Sequence, residues 1–149
     1  MDYNFSKWGK WSTRERINGI KNPWIYILAI FNEKVNINNI NLTDKNIIYI
    51  WETCNQTLKQ RLLQFNKSAF ENKPWHSWGW SYSDKYNSNF DKNSDNLYLS
   101  ICPITDDLLP ASDVEDKKIL LDSFIRYIER KVILEYVLIN WNSNLLNKK

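Results

Sequence analysis

Two tyrosines and one arginine are spaced so that their side chains could work together. Tyr26 ends the segment Trp24-Ile25-Tyr26, Tyr49 opens the segment Tyr49-Ile50-Trp51, and Arg61 follows twelve residues after Tyr49. A phenol can move a proton, and a guanidinium can stabilise negative charge. Each residue is ordinary when taken alone, because aromatic residues favour strands and a helical arginine usually extends to solvent.

The other candidates are a histidine, two glutamates and an asparagine. His76 is the only histidine, and Glu129 and Glu135 each precede an apolar pair at plus three and plus four in one predicted helix. Six residues at about 100° each place the two carboxylates roughly 120° apart, so they are not expected to bind one ion together. Asn147 follows Glu135 by twelve residues.

In this order, the segments resemble the GIY-YIG endonuclease family over residues 23–147. That family has a Gly-Ile-Tyr strand, a Tyr-Ile-Gly strand and a helix whose arginine comes some ten residues beyond the second tyrosine. Tyr26, Tyr49 and Arg61 occupy those places here. The stretch from His76 to Gly79 is similar to the His-Ser-Gly-Gly segment of stand-alone bacterial members.

The resemblance implies a metal-dependent DNA endonuclease that hydrolyses phosphodiester bonds. It implies that Arg61 stabilises charge on the phosphoryl oxygens, and that Tyr26 or Tyr49 orients or deprotonates the attacking water with assistance from His76. Either of two glutamates would hold Mg²⁺ or Mn²⁺. The spacing to Asn147, which would fix local geometry, favours Glu135, whereas the Glu-Arg pair and the longer helix favour Glu129.

Tryptophan stands at several positions where the family has glycine, in a chain with 8 Trp and only 3 Gly. One hypothesis is that UGA codons for glycine were translated as tryptophan. The alternative is a genuine chain whose site is filled by indoles, which would be a catalytically impaired nucleic-acid-binding protein. An aromatic carbohydrate-binding module is a third possibility. The four positions that carry the hypothesis are Trp24, Trp51, Trp75 and Trp78.

Hydrophobic patterning predicts the elements that position these residues. We expect one α+β domain over residues 1–149, with a small antiparallel three-stranded sheet flanked by helices. Strands are predicted at 24–31, 47–51 and 97–103, and helices at 56–70 and from Ser112 to Ile139. Capping boxes are predicted at Ser12–Glu15 and Ser112–Glu115, and residues 71–96 are expected to be irregular.

Composition limits the partners and the compartment. The chain has a net charge of +3, which permits DNA binding, and three lysines on or near the first long helix could contact phosphates. These are Lys59, Lys67 and Lys73. No apolar run is long enough for a membrane span, and sequence specificity would come from loops or from a protein partner. Cys54 and Cys102 are far apart, which favours a reducing cytoplasm.

Overall fold

A four-stranded antiparallel sheet forms the centre of the computed structural model, which describes residues 4–22, 24–32, 36–38, 40–87, 94–104, 108–109, 115–141 and 145–147. The strand order is β1-β4-β2-β3. The strands are β1 (Gly9–Lys10), β2 (Trp24–Ile30), β3 (Ile47–Glu52) and β4 (Leu97–Pro103). The α+β class and the three predicted strands are confirmed. The prediction of a three-stranded sheet is wrong, because β1 is too short to show a strand pattern in the sequence.

Three α-helices accompany the sheet within the described residues. They are α1 (Leu58–Glu71), α2 (Ser77–Tyr86) and α3 (Lys117–Ile139). Thr57 begins α1 with a reciprocal capping box to Gln60, which fixes the start of the helix two residues after the predicted one. None of the described helices is long and apolar enough to cross a bilayer.

The expectation of irregular structure over residues 71–96 is wrong where α2 lies. Small polar residues dilute the apolar pattern of α2, but Trp78, Tyr82 and Tyr86 recur every four residues along it. That spacing is typical of one helical face. The face packs on α1, because the Tyr82 ring centroid lies 5.5 Å from that of Phe65.

The predicted capping box at Ser12–Glu15 is also wrong. A 3₁₀ helix, Trp11–Arg16, begins one residue earlier, and Lys10 at its N-cap makes no side-chain hydrogen bond. Trp11 is buried and donates from Nε1 to Asn66 Oδ1 at 3.2 Å, so the indole anchors the start of this helix. The box predicted at Ser112–Glu115 lies outside the described residues apart from Glu115, and Asp116 is the observed N-cap of α3.

The two faces of the sheet bury different clusters. Tyr26, Leu28 and Tyr49 point to the face that α1 and α2 cover. The residues that alternate with them, including Ile25 and Ile27, point to the face that α3 covers. The sheet therefore separates the tyrosines from the helix that carries both glutamates.

A short C-terminal segment covers the exposed edge of β3. Leu146 N donates to Ile48 O at 2.7 Å, and the Asn147 amide pairs with both backbone groups of Ile50. In this pair Asn147 Oδ1 accepts from Ile50 N at 3.0 Å, while Nδ2 donates to Ile50 O. A strand edge that is satisfied in this way is held in place and cannot pair with another chain.

Substituting Asn147→Ala removes both amide contacts and leaves the Ile50 backbone groups without these partners. We expect the free energy of unfolding to fall by about 1–2 kcal/mol. Urea unfolding followed by far-UV circular dichroism measures the change. Asn55→Ala, at an exposed asparagine, is the matched control and should change stability by less than about 0.5 kcal/mol. Equal stabilities for the two variants would contradict this role for Asn147.

Candidate active site

The pairing of β2 with β3 places the two tyrosines side by side. Tyr26 lies opposite Trp51 and Leu28 lies opposite Tyr49, so both phenols point to the face covered by α1 and α2. Their ring centroids are 5.8 Å apart and both side chains are fully buried. Burial raises the pKa of Tyr26 to about 12 and raises that of Tyr49 well above its ordinary value. Both phenols are therefore protonated near neutral pH.

Arg61 brings a positive charge to the two phenols from the first turn of α1. It is half-buried and interacts electrostatically with Tyr26 and Tyr49. Burial acts to lower the pKa of Arg61, but the two phenols outweigh burial and the net pKa is raised. The guanidinium therefore stays charged at any pH at which the protein is folded.

His76 reaches the same cluster from the N-cap of α2. Its ring centroid lies 6.4 Å from that of Tyr49. Ser68 on α1 holds the preceding loop, because its Oγ accepts from His76 N at 2.7 Å and donates to Lys73 O at 2.7 Å. The His76 Nδ1 atom accepts from Gly79 N at 3.2 Å, which leaves Nε2 to carry the proton of the neutral ring.

Gly79 allows the helices α1 and α2 to approach closely. A Cβ at this position would lie 2.6 Å from Ser68 Cβ and 2.8 Å from Phe65 O. Only glycine permits that contact without displacement of α1. Since α2 begins with His76, this approach also sets the distance between the imidazole and the phenols.

Burial, together with the nearby charge of Arg61, lowers the pKa of His76 to about 3. The imidazole is therefore neutral at physiological pH, and its Nε2 is a hydrogen-bond donor. A neutral imidazole beside a permanent cation avoids the repulsion that an imidazolium would experience.

Four side chains in this cluster hold buried polar atoms that make no hydrogen bond of ordinary geometry within the protein, although Arg61 and the two phenols lie close enough to interact with one another. Within the described part of the chain, five buried side-chain atoms lack such a hydrogen bond, and the fifth is the Nε1 atom of Trp24. The four in the cluster all carry a proton to donate. They are the hydroxyls of Tyr26 and Tyr49, Nε of Arg61 and Nε2 of His76. Unsatisfied buried groups cost about 1–3 kcal/mol each, so their concentration at one place points to a ligand rich in acceptors.

Two indoles contact the ring of Tyr49. The Trp51 ring stacks on Tyr49 with centroids 5.8 Å apart and planes inclined by 6°. The Trp78 ring lies 6.0 Å from Tyr49 and 6.2 Å from Trp51, and the Arg61 guanidinium lies 5.8 Å from the Trp51 ring. The two indoles are thus in direct contact with the cluster.

The other tryptophans at expected glycine positions lie elsewhere. Trp24 is buried at the start of β2, where its indole fills the space above Gly19. Trp75 is 58% exposed, with Lys67 Nζ 4.6 Å from its ring.

The two glutamates differ in position along α3. This helix runs antiparallel to β3, because Arg126 Nε lies 4.0 Å from Glu52 Oε1 at one end and Tyr136 donates to Ile47 O at the other. Glu129 is one turn beyond Arg126, is 2% exposed and lies 3.3 Å from Arg130 Nε. Glu135 is half-buried, beside Tyr136 and therefore near the start of β3.

The described residues contain no group of three His, Cys, Asp or Glu side chains that could hold a metal ion. The structure does not bring Glu129 and Glu135 together, and both lie on the helix behind the sheet. Mg²⁺ usually keeps several waters and takes one or two carboxylates together with substrate phosphates. Glu129 is buried, contacts Arg130 and lies on the helix across the sheet from the phenols, so the structure does not place its carboxylate beside the four donors.

The three lysines predicted to contact phosphates lie around α1 in different settings. Lys59 is exposed on α1, and Lys73 is exposed but paired with Glu71 at 2.8 Å. Lys67 is half-buried against Trp75. All three are on the side of the sheet that holds the tyrosines.

Three residues that help to build the site were given no role from the sequence. Ser68 and Gly79 are small residues whose role appears only when α1 and α2 are packed, although small residues on facing helices are a general signal of close approach. Glu52 follows Trp51 at the end of β3, and its carboxylate adds to the effect of burial in raising the pKa of Tyr26. Its position three residues after Tyr49 was visible in the sequence.

The chain matches no protein-family model, no curated protein and no solved structure.

The buried imidazole makes stability depend on pH. The folded pKa of about 3 is below the usual value of 6.5, so the unfolded chain takes up a proton first as pH falls. We expect the free energy of unfolding to drop by about 2 kcal/mol between pH 7.5 and pH 5 relative to His76→Asn, which keeps an N-cap acceptor. Urea unfolding across this pH range measures the difference, and parallel pH profiles for the two chains would contradict it.

Proposed function

We propose that this protein is a metal-dependent DNA endonuclease that hydrolyses phosphodiester bonds, with an active site of the GIY-YIG type. The observation that carries the proposal is the set of four donors without protein partners, at Tyr26, Tyr49, Arg61 and His76. A phosphodiester offers several acceptor oxygens and negative charge, which suits four donors that include one permanent cation. The order of these residues along the chain supports the same assignment.

Each side chain has a role that follows from its protonation state. Arg61 is a fixed cation whose attraction to the phosphoryl oxygens grows as charge develops on them. Tyr26 and Tyr49 have raised pKa values, so they act first as donors that orient the phosphate and the attacking water. His76 is neutral and donates from Nε2, which suits it to hold a non-bridging oxygen or to assist proton transfer.

The bound metal ion would be Mg²⁺ or Mn²⁺, and Glu129 is the ligand that we propose for it. When bound, the ion would polarise the phosphate and stabilise the leaving oxygen. Glu129 is the better candidate of the two because it lies one turn from Arg126 and so near the end of β3 where Arg61 lies, although the sheet separates its helix from the phenols. Glu135 lies toward the opposite end of that strand.

DNA would approach along the side of the sheet that carries α1. Lys59 and Lys67 would contact the backbone without reading sequence, so specificity would come from loops or a protein partner. Cys54 and Cys102 are free thiols, and we place the protein in a reducing cytoplasm.

The function is tested with a chain that carries glycine at positions 24, 51, 75 and 78. We expect this four-glycine chain to nick supercoiled plasmid in the presence of Mg²⁺ and to stop when EDTA is added. Arg61→Ala in the same chain should lower the nicking rate by about 10²–10³-fold, since one transition-state donor is lost. Agarose-gel conversion of supercoiled to nicked plasmid gives the rate.

Lys118→Ala is the matched control for Arg61→Ala, because it removes one exposed positive charge at the start of α3. This control should change the rate by less than about threefold, as for one screened surface charge. The endonuclease proposal is abandoned if the folded four-glycine chain cleaves neither duplex, branched nor single-stranded DNA with Mg²⁺ or Mn²⁺.

The choice of metal ligand is tested by paired substitutions on α3. In the four-glycine chain we expect Glu129→Gln to lower nicking by about 10²-fold or more and to raise the Mg²⁺ concentration for half-maximal rate. Glu135→Gln, the same chemical change on the same helix, should leave both quantities close to those of the parent. If Glu135→Gln shows the loss instead, the ligand assignment is reversed.

The second candidate function is a catalytically impaired protein that binds nucleic acid. The contacts of Trp51 and Trp78 with Tyr49 favour it, because two large side chains are packed against a phenol of the cluster where the family has glycine. This candidate predicts that the unsubstituted chain binds DNA in a salt-dependent way and does not nick it.

A further inference from the structure

The two indoles at positions 51 and 78 form a continuous aromatic layer with Tyr49. Every pair among the three rings has centroids within 6.2 Å. The Trp51 and Trp78 side chains are themselves half-buried, so one surface of the layer contacts the polar cluster and another faces solvent. We name these two side chains the indole cover.

The indole cover packs against the core cluster of this face, and Trp51 also lies beside the Arg61 guanidinium. The hydroxyls of Tyr26 and Tyr49 and Nε of Arg61 are buried on the same face, and none of these atoms has a protein hydrogen-bond partner. A buried polar group that lacks a partner is disfavoured compared with the same group in water. Removal of the cover would give these donors access to water or to an anion, which offsets part of the packing that is lost.

The remaining tryptophans at expected glycine positions do not share this placement. Trp24 packs against Gly19, where a Cβ would lie 2.3 Å from the indole Cζ2 atom. Trp75 is 58% exposed and its ring contacts the Lys67 ammonium. Neither ring is in the aromatic layer with Tyr49.

We propose that Trp51 and Trp78 together close the phosphate-binding site, and that glycine at these two positions is sufficient to admit the DNA backbone. The proposal rests on the proposed function for the identity of the ligand. It goes beyond that function by naming Trp51 and Trp78 as the two side chains that block access to the phosphate-binding site. It also assigns no part in closure to Trp24 or Trp75.

The test compares the unsubstituted chain with W51G/W78G and with the control W141G. The control also replaces an indole by glycine, but at a position that is 88% exposed. Because His76 is the only histidine, diethylpyrocarbonate modification followed by absorbance at 240 nm reports the accessibility of this one imidazole. A fluorescein-labelled DNA duplex in EDTA, followed by anisotropy, reports backbone binding without cleavage.

In W51G/W78G we expect His76 to be modified about tenfold faster than in the unsubstituted chain. We also expect this variant to bind the duplex about tenfold more tightly. The control W141G should match the unsubstituted chain in His76 modification. With Mg²⁺, the nicking rate of W51G/W78G should be within about threefold of the rate of the four-glycine chain. The unsubstituted chain should nick plasmid far more slowly.

Each contrary result has a defined meaning. If W51G/W78G loses the far-UV circular dichroism of the fold, or if His76 modification is unchanged, the two indoles are structural and the proposal is overturned. It is also overturned if the four-glycine chain nicks DNA but W51G/W78G does not. If His76 and the duplex respond as expected but neither chain nicks, the cover is supported and the endonuclease function fails.

Discussion

The register between β2 and β3 is the constraint on which the rest of the site depends. Tyr26 pairs with Trp51 and Tyr49 with Leu28, which directs both phenols to one face. Side chains alternate along a strand, so a slip of one residue would send one phenol to the face covered by α3. The Asn147 amide contributes to this register, since it occupies the outer backbone groups of Ile50 in β3. Chain residues far from the tyrosines in sequence therefore hold their alignment.

The cluster on that face is an unfavourable arrangement that the surrounding packing maintains. Two phenols, one guanidinium and one imidazole are buried together, and the burial shifts the pKa of each phenol upward and that of His76 downward. The close approach of α1 and α2 at Gly79 and the Ser68 hydrogen bonds to the loop before α2 keep His76 in the cluster. Such buried and unsatisfied donors are common where a protein is built to meet a ligand rather than to be as stable as possible.

The tryptophans have different physical consequences according to where they lie. Trp24 is part of the core, and Trp75 is at the surface beside Lys67. Trp51 and Trp78 alone touch the aromatic ring of a phenol in the cluster. The tryptophans at expected glycine positions therefore fall into three structural settings. Only the setting of Trp51 and Trp78 bears directly on whether a phosphate can reach the donors.

The sequence by itself determined the three longer strands, the two longer helices and the α+β class, because their apolar patterns are long enough to be distinctive. It also determined the set of polar residues worth following, Tyr26, Tyr49, Arg61 and His76. Two short elements and the long-range contacts of the site were decided only by the tertiary structure. The strand β1 has two residues, and α2 has an apolar face diluted by serines, so local periodicity did not reveal them. The different settings of Glu129 and Glu135 depend on how α3 lies along β3, and the contact of Trp78 with Tyr49 depends on the packing of α2 against β3. Both are long-range packing relations, and sequence spacing carries no information about the distance between elements that meet only when the chain is folded.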